Sequence, residues 1–349
     1  MRKIELLCMQ AILAACVLVF GIVPLRASEE PLRVCATVPE LGDLTRIIGG
    51  DHVSVKVFAK GAENPHMVEA KPSFIKELAR ADLLVLVGME LEVGWVPALL
   101  KNARNASVQP GGRGYLDAST VIEPLEVPTT PVNRSMGDVH ASGNPHYLLD
   151  PIGGLRVAGA IRDKLTELRP LAKDGFAERY AAFKKELSVR LAGETLAAKY
   201  EVEKMAVLAR HGKLVSFLKS QNQAADLGGW FAQLAPHAGA KLVADHNLWP
   251  YFAQRFGLQV VEHLEPRPGL PPTSKHLVAV LKQMKKDGVR AILASPYYDE
   301  RHANLMATQS GAKVARMCNQ CGAIAGTEKY FAMIDHNVKT LATALGGRP

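Results

Sequence analysis

From residue 32 onward the chain alternates short apolar runs with longer stretches in which apolar residues recur every three or four positions. A short apolar run bounded by turn formers predicts a strand buried on both faces, and the three-to-four repeat predicts an amphipathic helix. Two blocks follow this pattern. In the first, strands are predicted at 32–38, 53–59 and 82–88, with helices at 41–48 and 73–79 between them. In the second, strands fall at 241–245, 259–264, 290–295 and 313–317, separated by helices at 250–256, 274–286 and 301–309. From 163 to 199 there is no strand signal, and Phe176, Tyr180, Phe183, Leu187 and Leu191 mark the apolar face of a helix. Strands that alternate with helices build parallel sheets covered on both faces. The fold class is therefore α/β, with two α/β lobes of parallel sheets joined by one long helix. The boundaries read as a leader at 1–28, a first lobe at 29–165, a connecting helix at 166–199 and a second lobe at 200–349. A helical connector is stiffer than a coil, so only a small closing motion is expected. Residues 129–143 read as an irregular loop.

The 349 residues, 48% of them hydrophobic, can fill the cores of one large or two medium domains, which excludes a disordered chain. The formal charge of +8 is carried by scattered residues and pairs such as Lys184-Lys185 and Lys285-Lys286. No arginine-rich stripe with interleaved aromatics is present, so nucleic acid is not an expected partner. Arg2 and Lys3 followed by an apolar stretch at 11–23, broken before Glu29, form a secretory leader. That stretch is too short to span a bilayer comfortably, and no membrane span is expected in the mature chain. Cleavage is expected near Ala27 or Ser28; Leu13-Ala14-Ala15-Cys16 also resembles a lipobox, which would anchor the protein through a lipid on Cys16. Either way the protein is exported, to the periplasm. Cys8 and Cys16 lie in the leader, which leaves Cys35, Cys318 and Cys321 in an oxidising compartment. Cys35 stands in the apolar run 32–38 and reads as a buried core thiol.

Three histidines stand just past the end of a strand or at the start of a helix, where open α/β sheets form their ligand crevice. His66 follows the second strand in Gly61-Ala62-Glu63-Asn64-Pro65-His66, and His146 lies in Gly143-Asn144-Pro145-His146. After His146, Asp150 and Pro151 start a helix as N-cap and first helical residue. His246 ends the strand at 241–245. Asn-Pro-His occurs twice, and a proline fixes the backbone just before an imidazole that must point one way. A single histidine would be read as an ordinary hydrogen-bonded imidazole; three at equivalent places in the architecture read as ligands. Neutral imidazole is a common ligand for borderline metals, and three from separate loops make most of a tetrahedral shell.

These residues carry a resemblance. Together with Ala36-Thr37-Val38-Pro39, Leu41-Gly42-Asp43-Leu44, Gly88-Met89-Glu90-Leu91-Glu92 and Tyr330-Phe331, they make the chain similar to the metal-binding solute-binding proteins that serve zinc and manganese ABC importers. His246-Asn247-Leu248-Trp249-Pro250-Tyr251-Phe252 with Arg255-Phe256-Gly257-Leu258 resembles the third ligand loop, where zinc members have histidine and manganese members often glutamate. The resemblance implies that His66, His146 and His246 are metal ligands, and that a single long helix joins the lobes of a metal-type periplasmic binding protein. It also implies an aspartate just after the last strand; counted from Gly311-Ala312-Lys313-Val314, that position falls on Cys318. Three readings stay open there. Cys318 could ligate as a thiolate, it could join Cys321 in a disulfide, or water, Asp299 or Glu300 could complete the shell. The zinc members often have a histidine-rich loop near His140, which is a further candidate ligand.

A transport receptor holds its metal in a closed shell of protein ligands, whereas a metal hydrolase needs an open coordination position and a nearby general base. Neither an H-E-x-x-H helix nor paired carboxylates are found, so an enzyme is not expected. The sequence is read as a monomeric exported protein that captures a divalent metal. Zinc is expected as the transported ligand, with manganese or another divalent metal as the alternative, and delivery is to an ABC importer permease with its ATPase. A metal-dependent hydrolase, or an exported metal-binding adhesin or chaperone on the same fold, are the competing functions.

Overall fold

The computed structural model describes residues 30–130, 139–267 and 270–346; the leader at 1–28 with Cys16, and most of the loop expected at 129–143, lie outside them. In the first lobe, β1 (Leu32–Ala36) is buried at every position except Arg33. Next, α1 (Pro39–Gly49) starts on a proline, which the first helical position tolerates because its N–H would be unpaired there anyway, and buries Leu41, Leu44 and Ile48. The edge strand β2 (Val53–Val57), α2 (Pro72–Arg80), the wholly buried β3 (Leu83–Leu86) and α3 (Val96–Ala103) follow. A fourth strand, β4 (Tyr115–Asp117), was not legible in the sequence. Three residues behind a glycine-rich turn show no period of two, and only parallel pairing with Leu84–Leu86 of β3 makes them a strand. The four strands lie parallel in the order β2-β1-β3-β4.

Two long helices come next, α4 (Pro151–Leu168) and α5 (Lys173–Ala192). Arg169-Pro170 and Gly193, the latter at φ +85°, break the helical stretch read from the sequence into α4, α5 and the short α6 (Glu194–Lys199). Of these, α5 packs against α1 and α4 and also against the helix Gly229–Leu234 of the second lobe. Near its middle Arg179 donates to the carbonyls of Ile48 (2.7 Å) and Gly49 (3.1 Å) at the end of α1. Near its end Arg190 pairs with Asp335 (2.5 Å) and lies 4.8 Å over the Phe331 ring. At 1.5 Å per residue its 20 residues span about 30 Å.

After the short helices α7 (Val202–Arg210), α8 (Leu214–Ser220) and α9 (Gly229–Leu234), the second lobe repeats the plan of the first. It runs β5 (Lys241–Ala244), α10 (Pro250–Arg255), β6 (Gln259–His263), α11 (Ser274–Asp287), β7 (Ala291–Ala294), α12 (Glu300–Ser310), β8 (Lys313–Arg316) and α13 (Tyr330–Ala344). The strand order is β6-β5-β7-β8, again all parallel. One apolar core runs from the first sheet through α4 and α5 to the second lobe, and a smaller cluster around Val280, Met284, Ile292 and Met306 fills the second sheet's other side. Among the described residues no helix is long and apolar enough to cross a membrane.

In each sheet the chain reverses its direction of winding between the two central strands, β1 and β3 or β5 and β7, which opens a crevice at their C-terminal ends. Polar contacts tie the lobes near these crevices. The Arg255 guanidinium forks onto both oxygens of Asp150 at 2.7 Å, and Asp43 accepts from Tyr330 N (2.8 Å) and Lys329 Nζ (3.0 Å).

Candidate metal centre

The two Asn-Pro-His segments fold alike. Asn64 Oδ1 accepts from His66 N at 3.0 Å, and Asn144 Oδ1 accepts from His146 N at 3.0 Å. In each case an asparagine caps the backbone two residues on while the proline between them fixes φ, so the histidine leaves a rigid turn. Trp95 Nε1 donates to Pro65 O (3.0 Å) and holds the first turn from behind. Asn144 also reaches the other lobe, with Nδ2 donating to Asn247 O (3.0 Å), and within its own lobe it donates to Glu126 Oε2 (3.1 Å). His140 sits on the same side of the first lobe. The residues after it are pinned by Glu90, whose carboxylate accepts from Ala141 N (2.8 Å) and Ser142 Oγ (3.1 Å). Met89 and Glu90 both have left-handed backbones, at φ +47° and +66°, a conformation costly for side-chain-bearing residues and concentrated at functional sites.

His246 stands at the C-terminal end of β5, in the crevice of the second sheet. Asp245 anchors this corner, accepting from His246 N (2.7 Å) and Ser295 N (2.5 Å). The His246 ring stacks on Tyr298 with centroids 4.9 Å apart, and its Nδ1 lies 2.5 Å from Glu265 Oε2.

The histidines predicted from the sequence gather at one place. The ring centroid of His66 is 5.0 Å from that of His140 and 5.4 Å from that of His146. Two imidazoles bound tetrahedrally to one zinc, at ~2.0 to 2.1 Å from metal to nitrogen, would have centroids roughly 5 Å apart. His140, His146 and His246 line a cavity of about 240 Å³ together with Glu126, Asn144 and Asn247. Among the described residues no group of three or more His, Cys, Asp or Glu side chains already stands close enough together to hold an ion.

Electrostatics agree with a ligand role. Burial, and then the charges His140 and His246 would carry, push His66 down to about 3. Burial, and then His66, His246 and His140, hold His146 well below the usual imidazole range. Both rings are therefore neutral at physiological pH, the form that binds metal. His66 Nε2 is wholly buried and finds no hydrogen-bond partner among the described residues. Such an orphaned polar atom calls for an explanation, and an ion is one that fits an unprotonated imidazole nitrogen.

Cys318 is placed elsewhere and does not line the histidine cavity. Its backbone is clasped by Asn337, donating to Oδ1 (2.7 Å) and accepting from Nδ2 (2.8 Å), and its thiol points to Thr327 Oγ1 at 3.4 Å. Burial raises this thiol, which disfavours the thiolate a metal requires. The disulfide reading is corrected as well: Cys318 and Cys321 are free thiols, and Cys321 Sγ lies 3.9 Å from Met333 Sδ. Cys35 is buried and free, with its thiol pushed up to about 12, mainly by burial. Asp299 caps α12 and pairs with Arg301, and Glu300 pairs with Arg316, so both carboxylates are engaged on the surface. Asn319 and Gln320, which carry no local pattern in the sequence, come nearer the histidines. They line a cavity of about 30 Å³ with His146 and Glu40, and the Gln320 side chain spans the lobes to Glu63 O (2.6 Å). Glu265 and Tyr298, the partners of His246, also carried no local signal. Glu265 lies 19 residues from His246, and only the pairing of β5 with β6 brings them together.

Comparison with known proteins gives a consistent result. The sequence model of the family described as zinc-uptake complex component A periplasmic, ZnuA, matches residues 34–220 and 216–344. The manganese ABC transporter substrate-binding lipoprotein PsaA of Streptococcus pneumoniae is 22% identical over 326 residues, covering 92% of this chain and 91% of that protein. The zinc-binding protein AdcA of Streptococcus pyogenes serotype M3 is 22% identical over 329 residues, which is 90% of this chain and 56% of AdcA. A crystal structure of ZnuA superposes with a TM-score of 0.64 at 21% identity, covering 90% of this chain and 99% of that one.

Proposed function

The chain belongs to the family of the periplasmic component A of zinc-uptake complexes, and from that premise we propose that it captures zinc between its lobes through His66, His140, His146 and His246. It is a substrate-binding protein of a metal ABC transporter and not an enzyme; it works outside the cytoplasmic membrane and hands its cargo to a permease driven by an ATPase. Both zinc and manganese occur in the names of its relatives, so the choice of metal rests on this chain's own donors. Imidazole nitrogens suit zinc, whereas manganese favours carboxylate and water oxygens.

The observation that carries this reading is the pair of neutral, largely buried imidazoles His66 and His146 on rigid Asn-Pro-His turns, with His140 stacked on His66 and His66 Nε2 left without a partner among the described residues. His140 takes the fourth position in place of Cys318, because it touches His66 and its loop is held by Glu90. Three of the imidazoles come from the first lobe and His246 from the second, so the bound ion is the link that draws His246 onto the other three.

The test is metal analysis of the exported, dialysed protein, followed by competition titration of zinc against manganese. One zinc per chain is expected, with manganese displaced. His66→Ala, His146→Ala and His246→Ala should each weaken zinc strongly, and Cys318→Ser should not. Unchanged zinc content in the three histidine variants, or manganese bound as tightly as zinc, would overturn the assignment.

A further inference from the structure

Four imidazoles make an electrically neutral ligand set, and an ion of charge +2 is costly to bury among neutral groups. Glu126 also lines the cavity, its carboxylate taken up by Asn144 and Asn247, but among the described residues the carboxylate in hydrogen-bond contact with one of these rings is that of Glu265. Glu265, two residues past β6, places Oε2 2.5 Å from His246 Nδ1, and the two side chains are only 14% and 3% exposed. It approaches from behind the ring: Glu265 also lines a separate pocket of about 320 Å³ with Asp245 and Tyr298, whereas His246 opens on the other side into the histidine cavity. Tyr298 covers one face of the ring at 4.9 Å, with an angle of 27° between the planes. A carboxylate accepts, so an imidazole that offers one nitrogen to a metal holds its single proton on the Nδ1 facing Glu265, which leaves the lone pair of Nε2 for the cavity.

We propose that Glu265 is the positioning residue of the metal centre: it locks His246 in the Nδ1-protonated tautomer, with Nε2 facing the cavity, and it supplies a formal negative charge in contact with an otherwise neutral ligand set. The inference rests on the reading of His246 as a ligand. A carboxylate behind a metal-bound imidazole fixes its orientation and raises its basicity, and loss of such a partner typically weakens metal binding 10- to 100-fold. The arrangement also explains why His246, on the lobe opposite the other three histidines, needs no help from them to be oriented before the ion arrives.

The experiment uses the full mature chain and zinc itself. Zinc affinity is measured by competition with a chromophoric chelator for the parent, Glu265→Gln, Glu265→Ala and His246→Ala. Long-range proton–nitrogen spectra of the metal-free, nitrogen-15-labelled proteins report the tautomer of His246. The parent is expected to show a single Nδ1-protonated form. Glu265→Ala should give a mixture of tautomers and lose zinc affinity by about 10- to 100-fold. Glu265→Gln, whose side-chain oxygen still accepts, should keep the tautomer and lose about tenfold through the missing charge alone. If Glu265→Ala does not fold, the glutamine variant decides. Parent-like affinity in the glutamate variants while His246→Ala loses zinc would overturn the positioning role and leave His246 a ligand. Loss of affinity in Glu265→Ala with an unchanged tautomer would likewise overturn it. Parent-like zinc binding by His246→Ala would instead overturn the ligand reading itself.

Discussion

His66 and His146 owe their chemistry to being buried beside one another. The metal-free fold should feel this in acid. Below pH 6.5 the unfolded chain takes up a proton that folded His66 refuses until about pH 3. The residue's contribution to stability is therefore complete above 6.5 and is lost progressively as pH falls through that window. Glu40, Glu92 and Asp245, each raised by burial to about 7, act in the opposite sense, because their folded forms hold protons that the unfolded chain releases. A comparison that changes only His66 removes their effect. Metal-free His66→Asn should lose stability less steeply than the parent between pH 6.5 and about 4, by up to about 1.4 kcal/mol per pH unit. Urea unfolding at stepped pH would read the difference, and equal slopes would contradict a neutral, buried His66. Zinc should correspondingly be held at acidities where a free imidazole is already protonated.

At the scale of elements, α4 and α10 meet through one buried ion pair. Asp150 caps α4, accepting from Ile152 N at 2.9 Å, and receives the forked guanidinium of Arg255 from the end of α10. The third guanidinium nitrogen donates to Ala206 O at 2.7 Å, so α7 joins the same junction. Side-chain exposures of 11% for Asp150 and 8% for Arg255 place the pair out of water, where a lone charge is far costlier than a paired one. Arg255→Ala should therefore destabilise the protein by about 3–5 kcal/mol in denaturant unfolding. A loss below about 1 kcal/mol, the size of a surface pair, would mean that water reaches this junction. His146 stands four residues before Asp150, so the same substitution should also weaken zinc binding by loosening the His146 turn.

Across the whole molecule, α5 determines how far the lobes can move. It is fixed by Arg179 to the end of α1 and by Arg190 to α13, and its apolar face joins the shared core at Phe176, Phe183 and Leu187. Further ties at Asp43 and at Asn144 cross near the cleft itself. A hinge would have to break these contacts, so capture of the ion should involve local movement of His246 and its neighbours rather than swinging lobes. Small-angle scattering of the metal-free and zinc-loaded protein should give the same radius of gyration within error. A clear contraction on loading would show that α5 bends.

The alternation of apolar runs and amphipathic stretches was enough to determine seven of the eight strands and the parallel two-lobe plan, because strand and helix periods are local properties of the chain. The doubled Asn-Pro-His was equally legible, since cap, proline and imidazole are adjacent residues acting within one turn. β4 was not, because it is a strand only by virtue of its neighbour. Nor was the fate of Cys318: residues on either side of a strand end can turn to the cleft or to the core, and contacts with Thr327 and Asn337 turned this one inward. The same holds for Glu265 behind His246 and for Glu90 beneath the His140 loop. Which side chains stand behind a candidate ligand depends on how strands and loops distant in sequence are brought side by side, and that is settled only when the sheets assemble.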